Sequence, residues 1–207
     1  MPRPLRIQSA GYVHHVISRG NDRQILFFTD GDFNTYLNLL KKAQKEYPIK
    51  IYNYVLMKNH IHLLVEPTED GSLAKVMEYV TKGYAKHYNK MYDHVGHVFQ
   101  GRYKSFLVQT EKYFFACSRY IDLNPVKAQL ALRPEGYWWG AHQTLGHGQE
   151  GPLAIDFHDL YKSLGNNDME RQIAYRAWVN NYHGEELDLL NKRAGILGDS
   201  DFKETIK

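Results

Sequence analysis

The order of strand-like and helix-like segments in the first 125 residues most constrains how this chain can fold. Runs rich in β-branched and aromatic residues predict strands at residues 12–18, 49–57, 60–65 and 103–109, the second and third joined as a hairpin by Lys58-Asn59. Apolar residues at helical spacing predict three helices, with N-caps at Asp30 or Asp32, at Ser72 and at Thr110. The third helix is expected to end at Asn124, since the residue before a proline avoids helical geometry. The sequence thus predicts an α+β, ferredoxin-like split βαβ antiparallel sheet with one added helix.

The remainder of the chain has a different character. Beyond Trp138-Trp139 the signals are helical, near residues 157–164, 169–182, 185–194 and 200–206. A short stretch rich in glycine, histidine and glutamine, residues 146–151, has the composition of a linker. We therefore predict a main domain at residues 1–145 and a helical C-terminal appendage at residues 146–207.

Charge is divided unequally along the chain. Residues 1–130 hold 18 Lys and Arg against 11 Asp and Glu, or +7, whereas residues 131–207 hold 8 against 12, or −4. A basic first part suits a polyanionic partner such as nucleic acid, although solvated surfaces often carry such a charge. A single cysteine, Cys117, and the lack of a long apolar run or a signal-peptide core lead us to expect a cytoplasmic protein without a membrane partner.

The triplet His60-Ile61-His62 lies in a predicted strand. Because side chains alternate across a strand, the two histidines share one face, while Ile61 points to the other, where a core can form. Imidazole is the most common metal-binding side chain, so the pair suits a divalent cation. Two polar residues on a half-exposed strand would give the same pattern.

The third predicted helix carries a second group, Tyr113, Tyr120 and Asn124. Residues 120 and 124 are one turn apart, and Tyr113 lies two turns earlier on nearly the same face. A tyrosine hydroxyl aimed at a metal-polarised phosphate can form a covalent phosphotyrosyl intermediate. Aromatic residues at helical spacing are more commonly packing residues.

These segments together resemble a known family. His60-Ile61-His62 within NYVLMKNHIHLLVEP, followed by GHVFQGRYKSFLV and RYIDLNPVKA, is similar to the REP-associated tyrosine transposases, relatives of the single-tyrosine transposases of the HUH (histidine, hydrophobic, histidine) nuclease superfamily with an IS200-like transposase domain. The opening RPLRI and SRGN segments also fit, and the match spans roughly residues 1–145.

The resemblance implies a ferredoxin-like nuclease that cleaves and rejoins single-stranded DNA beside palindromic hairpins. By position, Tyr120 matches the nucleophile that forms a 5′-phosphotyrosyl bond, and His60 and His62 match the metal ligands. Asn124 falls where relatives place a third polar ligand, although the simplest transposases of the superfamily usually have glutamine there. The cofactor implied is a divalent metal, Mg²⁺ or Mn²⁺. Family members include monomers and dimers, so a monomer and a homodimer both stay open.

Basic residues of the first part are candidates for DNA contact, because Lys and Arg neutralise phosphates. They are Arg3, Arg6, Arg19 and Arg23 near the first strand, Lys82, Lys86 and Lys90 along the second helix, and Arg102 and Lys104 at the fourth strand.

Two other functions remain open from the residues alone. The ferredoxin-like fold also serves non-catalytic modules that stack nucleic-acid bases on aromatic side chains. A small zinc metallohydrolase is a third possibility, although no further histidine, cysteine or carboxylate lies at a convincing local spacing.

Overall fold

The structure, a computed structural model, describes residues 10–181 and 196–206. The strands are β1 (Val13–Arg19), β2 (Ile49–Met57), β3 (His60–Pro67), β4 (Lys104–Val108) and β5 (Ile196–Leu197). The helices of these residues are α1 (Asp30–Glu46), α2 (Ser72–Met91), α3 (Thr110–Lys127), α4 (His142–His147), α5 (Asp159–Lys162), α6 (Asp168–Asn180) and a last helix, Ser200–Thr205. Single 3₁₀ turns occur at Asn21–Arg23 and Pro134–Gly136.

The sheet has the strand order β2-β3-β1-β4-β5. Its first four strands are antiparallel, in the order that the split βαβ prediction requires. The fifth strand, β5, runs parallel to β4 and makes the sheet mixed. The predicted ferredoxin-like fold is therefore confirmed, with an added edge strand that lies in the predominantly helical part of the sequence prediction.

Alternation along β3 divides the molecule into two layers. Ile61, Leu63 and Val65 enter the larger core, which α1 and α2 cover. His62 and Leu64 point to the opposite face, where α3 packs on a second apolar cluster. Lys58 and Asn59 form the tight turn between β2 and β3, as predicted, with Met57 opposite His60. This hairpin fixes the register that puts both histidines on the α3 face.

Three helix starts differ from the sequence prediction by one to three residues. Thr29 is the N-cap of α1, and Asp32 instead reaches back, accepting from the Thr29 amide at 2.9 Å. This is a capping box, in which the third helical residue satisfies a free amide before the helix. Ser72 and Thr110 are the first residues of α2 and α3, and Gly71 and Gln109 are their N-caps.

The predicted end of the third helix is wrong, because α3 continues through Pro125 to Lys127. The Asn124 side chain donates from Nδ2 to the Tyr120 carbonyl oxygen at 2.7 Å, an additional bond within this last turn. Pro125 itself is buried. A proline near the end of a helix removes only one backbone bond, and local side-chain bonding and packing can offset that loss. Consequently Asn124 keeps helical geometry and stays on the same face as Tyr120.

The C-terminal part packs closely on the sheet edge. The amide of Ile51 donates to Asp156 Oδ2, and the amide of Asp156 donates back to the Ile51 carbonyl, both at 2.8 Å. The predicted helix at residues 157–164 is shorter, since His158 caps α5 by accepting from the Leu160 amide.

The predicted helix at 185–194 lies outside the described residues. The domain division at residue 145 stays a prediction. Within the described ranges, no helix has the length and apolar character to cross a membrane.

Candidate active site

His60 and His62 lie side by side at one end of the sheet. His60 is the first residue of β3 and pairs with Arg19 of β1, while His62 pairs with Ile17. Their ring centroids are 5.0 Å apart. His60 is half-buried and its Nδ1 lies 2.7 Å from Asn59 Oδ1, so its Nε2 remains for another partner. Both side chains lie on the same face of the sheet, as the alternation predicted, and α3 packs on that face.

A third histidine, His15, completes this face and was missed by sequence reasoning. Its Nε2 lies 2.9 Å from His62 Nδ1, and the two rings stack at 5.1 Å. The pair His14-His15 gave a usable signal, because alternation on β1 must put one of two adjacent histidines on the α3 face. The sequence does not predict the register between β1 and β3, which brings the His15 ring beside the His62 ring.

Burial governs the protonation of these rings. It lowers the pKa of His15 to about 4 and holds the pKa of His62 well below its usual range. Burial also lowers the pKa of His60 to about 4; the Arg19 guanidinium acts in the same direction and a hydrogen bond with Asn124 opposes it. At neutral pH all three imidazoles are therefore uncharged and keep a free lone pair or accept a hydrogen bond.

Tyr120 lies directly over the histidine pair. Its ring centroid is 5.3 Å from that of His62 and 5.7 Å from that of His15, both edge-on, and the side chain is half-buried. Burial raises the pKa of Tyr120, whereas the Arg19 charge and a hydrogen bond with Asn124 lower it. Lys127 Nζ lies 5.7 Å from the centre of the same ring. The Tyr120 hydroxyl therefore lies in a partly desolvated site, with the positive charges of Arg19 and Lys127 nearby.

Asn124 connects the two elements of this group. One helical turn after Tyr120, its side chain raises the pKa of His60 and lowers the pKa of Tyr120. The structure therefore brings together all four residues that sequence reasoning selected. Tyr113, two turns earlier on α3, instead packs against the second apolar cluster.

The donor set fits a divalent cation. His62 Nε2 is buried and makes no hydrogen bond to any residue in the described part of the chain. A buried polar atom without a partner is costly, and a neutral imidazole nitrogen in that state is a ready metal ligand. The Nδ1 atoms of His60 and His62 both have hydrogen-bond partners, which fix ring orientation as in known metal sites.

The basic candidates divide into two sets. Arg19, Arg23, Arg102 and Lys104 are exposed at or near the end of the sheet that carries His60. Lys82, Lys86 and Lys90 are exposed along one side of α2, which belongs to the opposite layer, and Lys82 pairs with Glu78. Arg3 and Arg6 lie outside the described residues. The sheet end is therefore adjacent to the candidate nucleophile Tyr120, whereas Lys82, Lys86 and Lys90, here called the lysine stripe, lie in the other layer.

The other side of α3 carries a buried polar network that sequence reasoning missed. A β-bulge between Ile51 and Asn53 of β2 lets Asn53 donate to Asp122 Oδ1 at 2.9 Å. Tyr175 of α6 donates to Asp122 Oδ2 at 2.7 Å, and His142 Nδ1 lies 2.8 Å from the same oxygen. The network ties α3 to β2, α4 and α6.

Comparisons with solved structures define the class of fold. A structure described as a REP-associated tyrosine transposase bound to a REP hairpin superposes with a TM-score of 0.61, covering 77% of this chain and 94% of that chain at 16% identity. It is one of five solved chains that match. The fold is thus that of the tyrosine transposases.

Comparison by sequence gives the family. Residues 8–124 match the family model described as transposase IS200 like, which is more than half of the chain. The chain therefore belongs to the IS200-like transposase family, a family of DNA-processing enzymes, as the motifs predicted. A search of curated proteins finds no match.

Proposed function

We propose that this protein is a metal-dependent, single-stranded DNA endonuclease and strand transferase that uses Tyr120 as its nucleophile. The observation that carries the proposal is the position of the Tyr120 ring, whose centroid lies 5.3 Å from that of His62, one helical turn before Asn124. A nucleophile and a set of metal-type ligands on two rigid elements are what phosphoryl transfer to tyrosine requires. Family membership supports the same reaction class.

His60 Nε2, His62 Nε2 and Asn124 Oδ1 would hold the cation, Mg²⁺ or Mn²⁺. When bound, a divalent ion acts as a Lewis acid on the phosphate oxygens and helps to place the leaving group. His15 would fix the ring of His62, since a proton on His62 Nδ1 can be donated to His15 Nε2 at 2.9 Å. This tautomer would leave the lone pair of His62 Nε2 available to hold the ion.

Tyr120 would carry the covalent step. Its Oη forms a bond to phosphorus, the bond between phosphorus and the 3′ oxygen breaks, and the proton that tyrosine loses balances the one that the 3′ hydroxyl gains. Because burial raises the pKa of Tyr120, the hydroxyl is protonated at neutral pH, and nearby positive charge from Arg19 favours its ionisation during attack. Attack by the 3′ hydroxyl on the phosphotyrosine rejoins the strand without a nucleotide cofactor.

The substrate would be single-stranded DNA next to an imperfect palindromic hairpin. The sheet end provides exposed Arg19, Arg23, Arg102 and Lys104 for phosphate contacts close to Tyr120. A protein of similar fold is described as bound to a REP hairpin, which supports a hairpin partner for this chain as well. The lysine stripe of α2 would contact only a substrate that extends around the sheet.

The test is formation of a covalent adduct. A hairpin oligonucleotide with single-stranded flanks, incubated with the protein and Mn²⁺, is expected to yield a species that survives denaturing electrophoresis. Tyr120→Phe should yield none, while Tyr113→Phe, a matched change on the same helix, should behave as wild type.

An adduct that persists in Tyr120→Phe would contradict the nucleophile assignment. Metal-independent hairpin binding without any adduct would favour a non-catalytic nucleic-acid-binding module instead.

A further inference from the structure

A second group of ligand-type side chains lies beyond the other side of α3. Glu135 belongs to the 3₁₀ turn after α3, and His142 and His147 are the first and last residues of α4. Their candidate ligand atoms all lie within 4.8 Å of one another. All three follow residue 124, where the family match ends.

His142 is already oriented for coordination. The ring is buried, and its Nδ1 lies 2.8 Å from Asp122 Oδ2. A proton held between Nδ1 and a carboxylate leaves the lone pair on Nε2, and this carboxylate–histidine arrangement recurs behind metal ligands. Gly146 keeps the space beside that nitrogen open, since a Cβ there would lie 3.2 Å from His142 Nε2.

His147 supplies the second nitrogen. Its Nε2 is buried and has no hydrogen-bond partner within residues 10–181 and 196–206, although the ring is only partly buried. The two imidazole centroids are 5.7 Å apart. Burial lowers the pKa of His147, and His142 and Arg176 add to that effect while Glu135 opposes it. A neutral imidazole with an unused buried lone pair therefore faces the group.

We propose that Glu135, His142 and His147 form a second divalent-cation site, of the zinc class, that stabilises the packing of α4 against α3. Two imidazole nitrogens and one carboxylate suit Zn²⁺, whereas Mg²⁺ prefers a shell of oxygen atoms. Zinc bonds of about 2.0–2.2 Å place tetrahedral ligands roughly 3.3 Å apart, so modest rotations of the partly exposed Glu135 and His147 would close the set. The fourth position would hold water.

The site would join the segment after the family domain to the catalytic helix. Asp122, which holds His142, lies two residues after Tyr120, so the two side chains project from nearly opposite sides of α3. A cation at the second site would connect the 3₁₀ turn and α4 to α3 through this carboxylate. Because it shares no ligand with His60, His62 and Asn124, it does not rest on the proposed catalytic function.

The experiment is a zinc titration of the full chain after removal of bound metal. Calorimetry measures the binding of Zn²⁺ alone to the His60→Ala/His62→Ala double variant. This variant is expected to bind one ion per chain and to unfold at a higher temperature with zinc than without it. Adding His147→Ala should remove that binding and the thermal shift. His97→Ala, at an exposed histidine outside both groups, should change neither.

If the double variant fails to fold, the same titration is carried out in the otherwise wild-type chain. There, His147→Ala should bind one zinc ion fewer than wild type. Unchanged zinc binding on loss of His147 would overturn the proposal, as would a folded His60→Ala/His62→Ala variant that binds none. Mg²⁺ alone at the same concentrations should give no thermal shift in that double variant, and an equal shift would contradict the zinc class.

Discussion

The two sides of α3 carry histidines in contrasting settings. On the Tyr120 side, His60 and His62 come from a strand, and the rings beside His62 are the neutral imidazoles of His15 and His60 and the phenol of Tyr120. On the Asp122 side, His142 comes from a short helix and is held by a buried carboxylate. On the first side a partly exposed tyrosine hydroxyl lies beside the imidazoles, whereas the Tyr175 hydroxyl on the second side is buried and donates to Asp122. The contrast teaches that the neighbours of an imidazole, rather than the imidazole itself, distinguish the candidate catalytic centre from the second site.

Loss of the strand histidines should have the largest effect on this comparison. His60→Ala/His62→Ala is expected to abolish the protein–DNA adduct, since no ligand atoms remain to hold the cation, and EDTA should do the same to wild type. The fold should survive, because both changes lie at the sheet end near solvent-exposed Arg19 and outside the larger core. The measurement is adduct yield against Mn²⁺, with circular dichroism as the check on folding. Full adduct formation by this variant would remove the proposed catalytic role from the strand side.

Asp122→Ala tests the opposite side through stability. It leaves the buried Tyr175 hydroxyl and His142 Nδ1 without their acceptor, and each orphaned buried group costs about 1–3 kcal/mol. We expect the free energy of unfolding to fall by about 2–5 kcal/mol in urea denaturation. Glu111→Ala, an exposed carboxylate in the first turn of the same helix, should change it by about 1 kcal/mol or less. Equal effects of the two changes would mean that the buried network contributes little.

Replacement of His15 should have a smaller effect, and it distinguishes a role in positioning the metal ligand His62 from a role in packing alone. His15→Ala should weaken the apparent affinity of the site for Mn²⁺ by about 10- to 100-fold, as expected for loss of a group behind a metal ligand. At saturating Mn²⁺ the adduct yield should recover. A loss of yield with no change in the Mn²⁺ midpoint would instead mark His15 as a packing residue, and the melting temperature provides the independent check on stability.

The sequence was sufficient for the parts of the site that depend on local periodicity. Alternation in His60-Ile61-His62 and the Lys58-Asn59 turn determine that both histidines lie on one face of the sheet. The direction of Asn124 was not predictable, because Pro125 suggested a helix end that the Asn124 side chain and buried packing offset. His15 and the Asp122–His142 pair depend on the lateral register of strands and on contacts across 20 or more residues. No local pattern encodes such contacts, which form only when the layers pack.

The smallest effects concern the two sets of basic residues. Lys104→Ala, on the histidine face of β4, should weaken binding to a hairpin oligonucleotide about equally for all sequences and reduce the salt slope by about 1, as for loss of one phosphate contact. Lys86→Ala, in the opposite layer, should change the binding affinity by less than about twofold if the substrate stays at the sheet end. The reason is that salt screens an exposed charge that lies far from the bound DNA. Fluorescence anisotropy at several salt concentrations measures both. A larger effect of Lys86 than of Lys104 would mean that the hairpin lies along α2, so that the DNA must pass around the sheet edge to reach Tyr120.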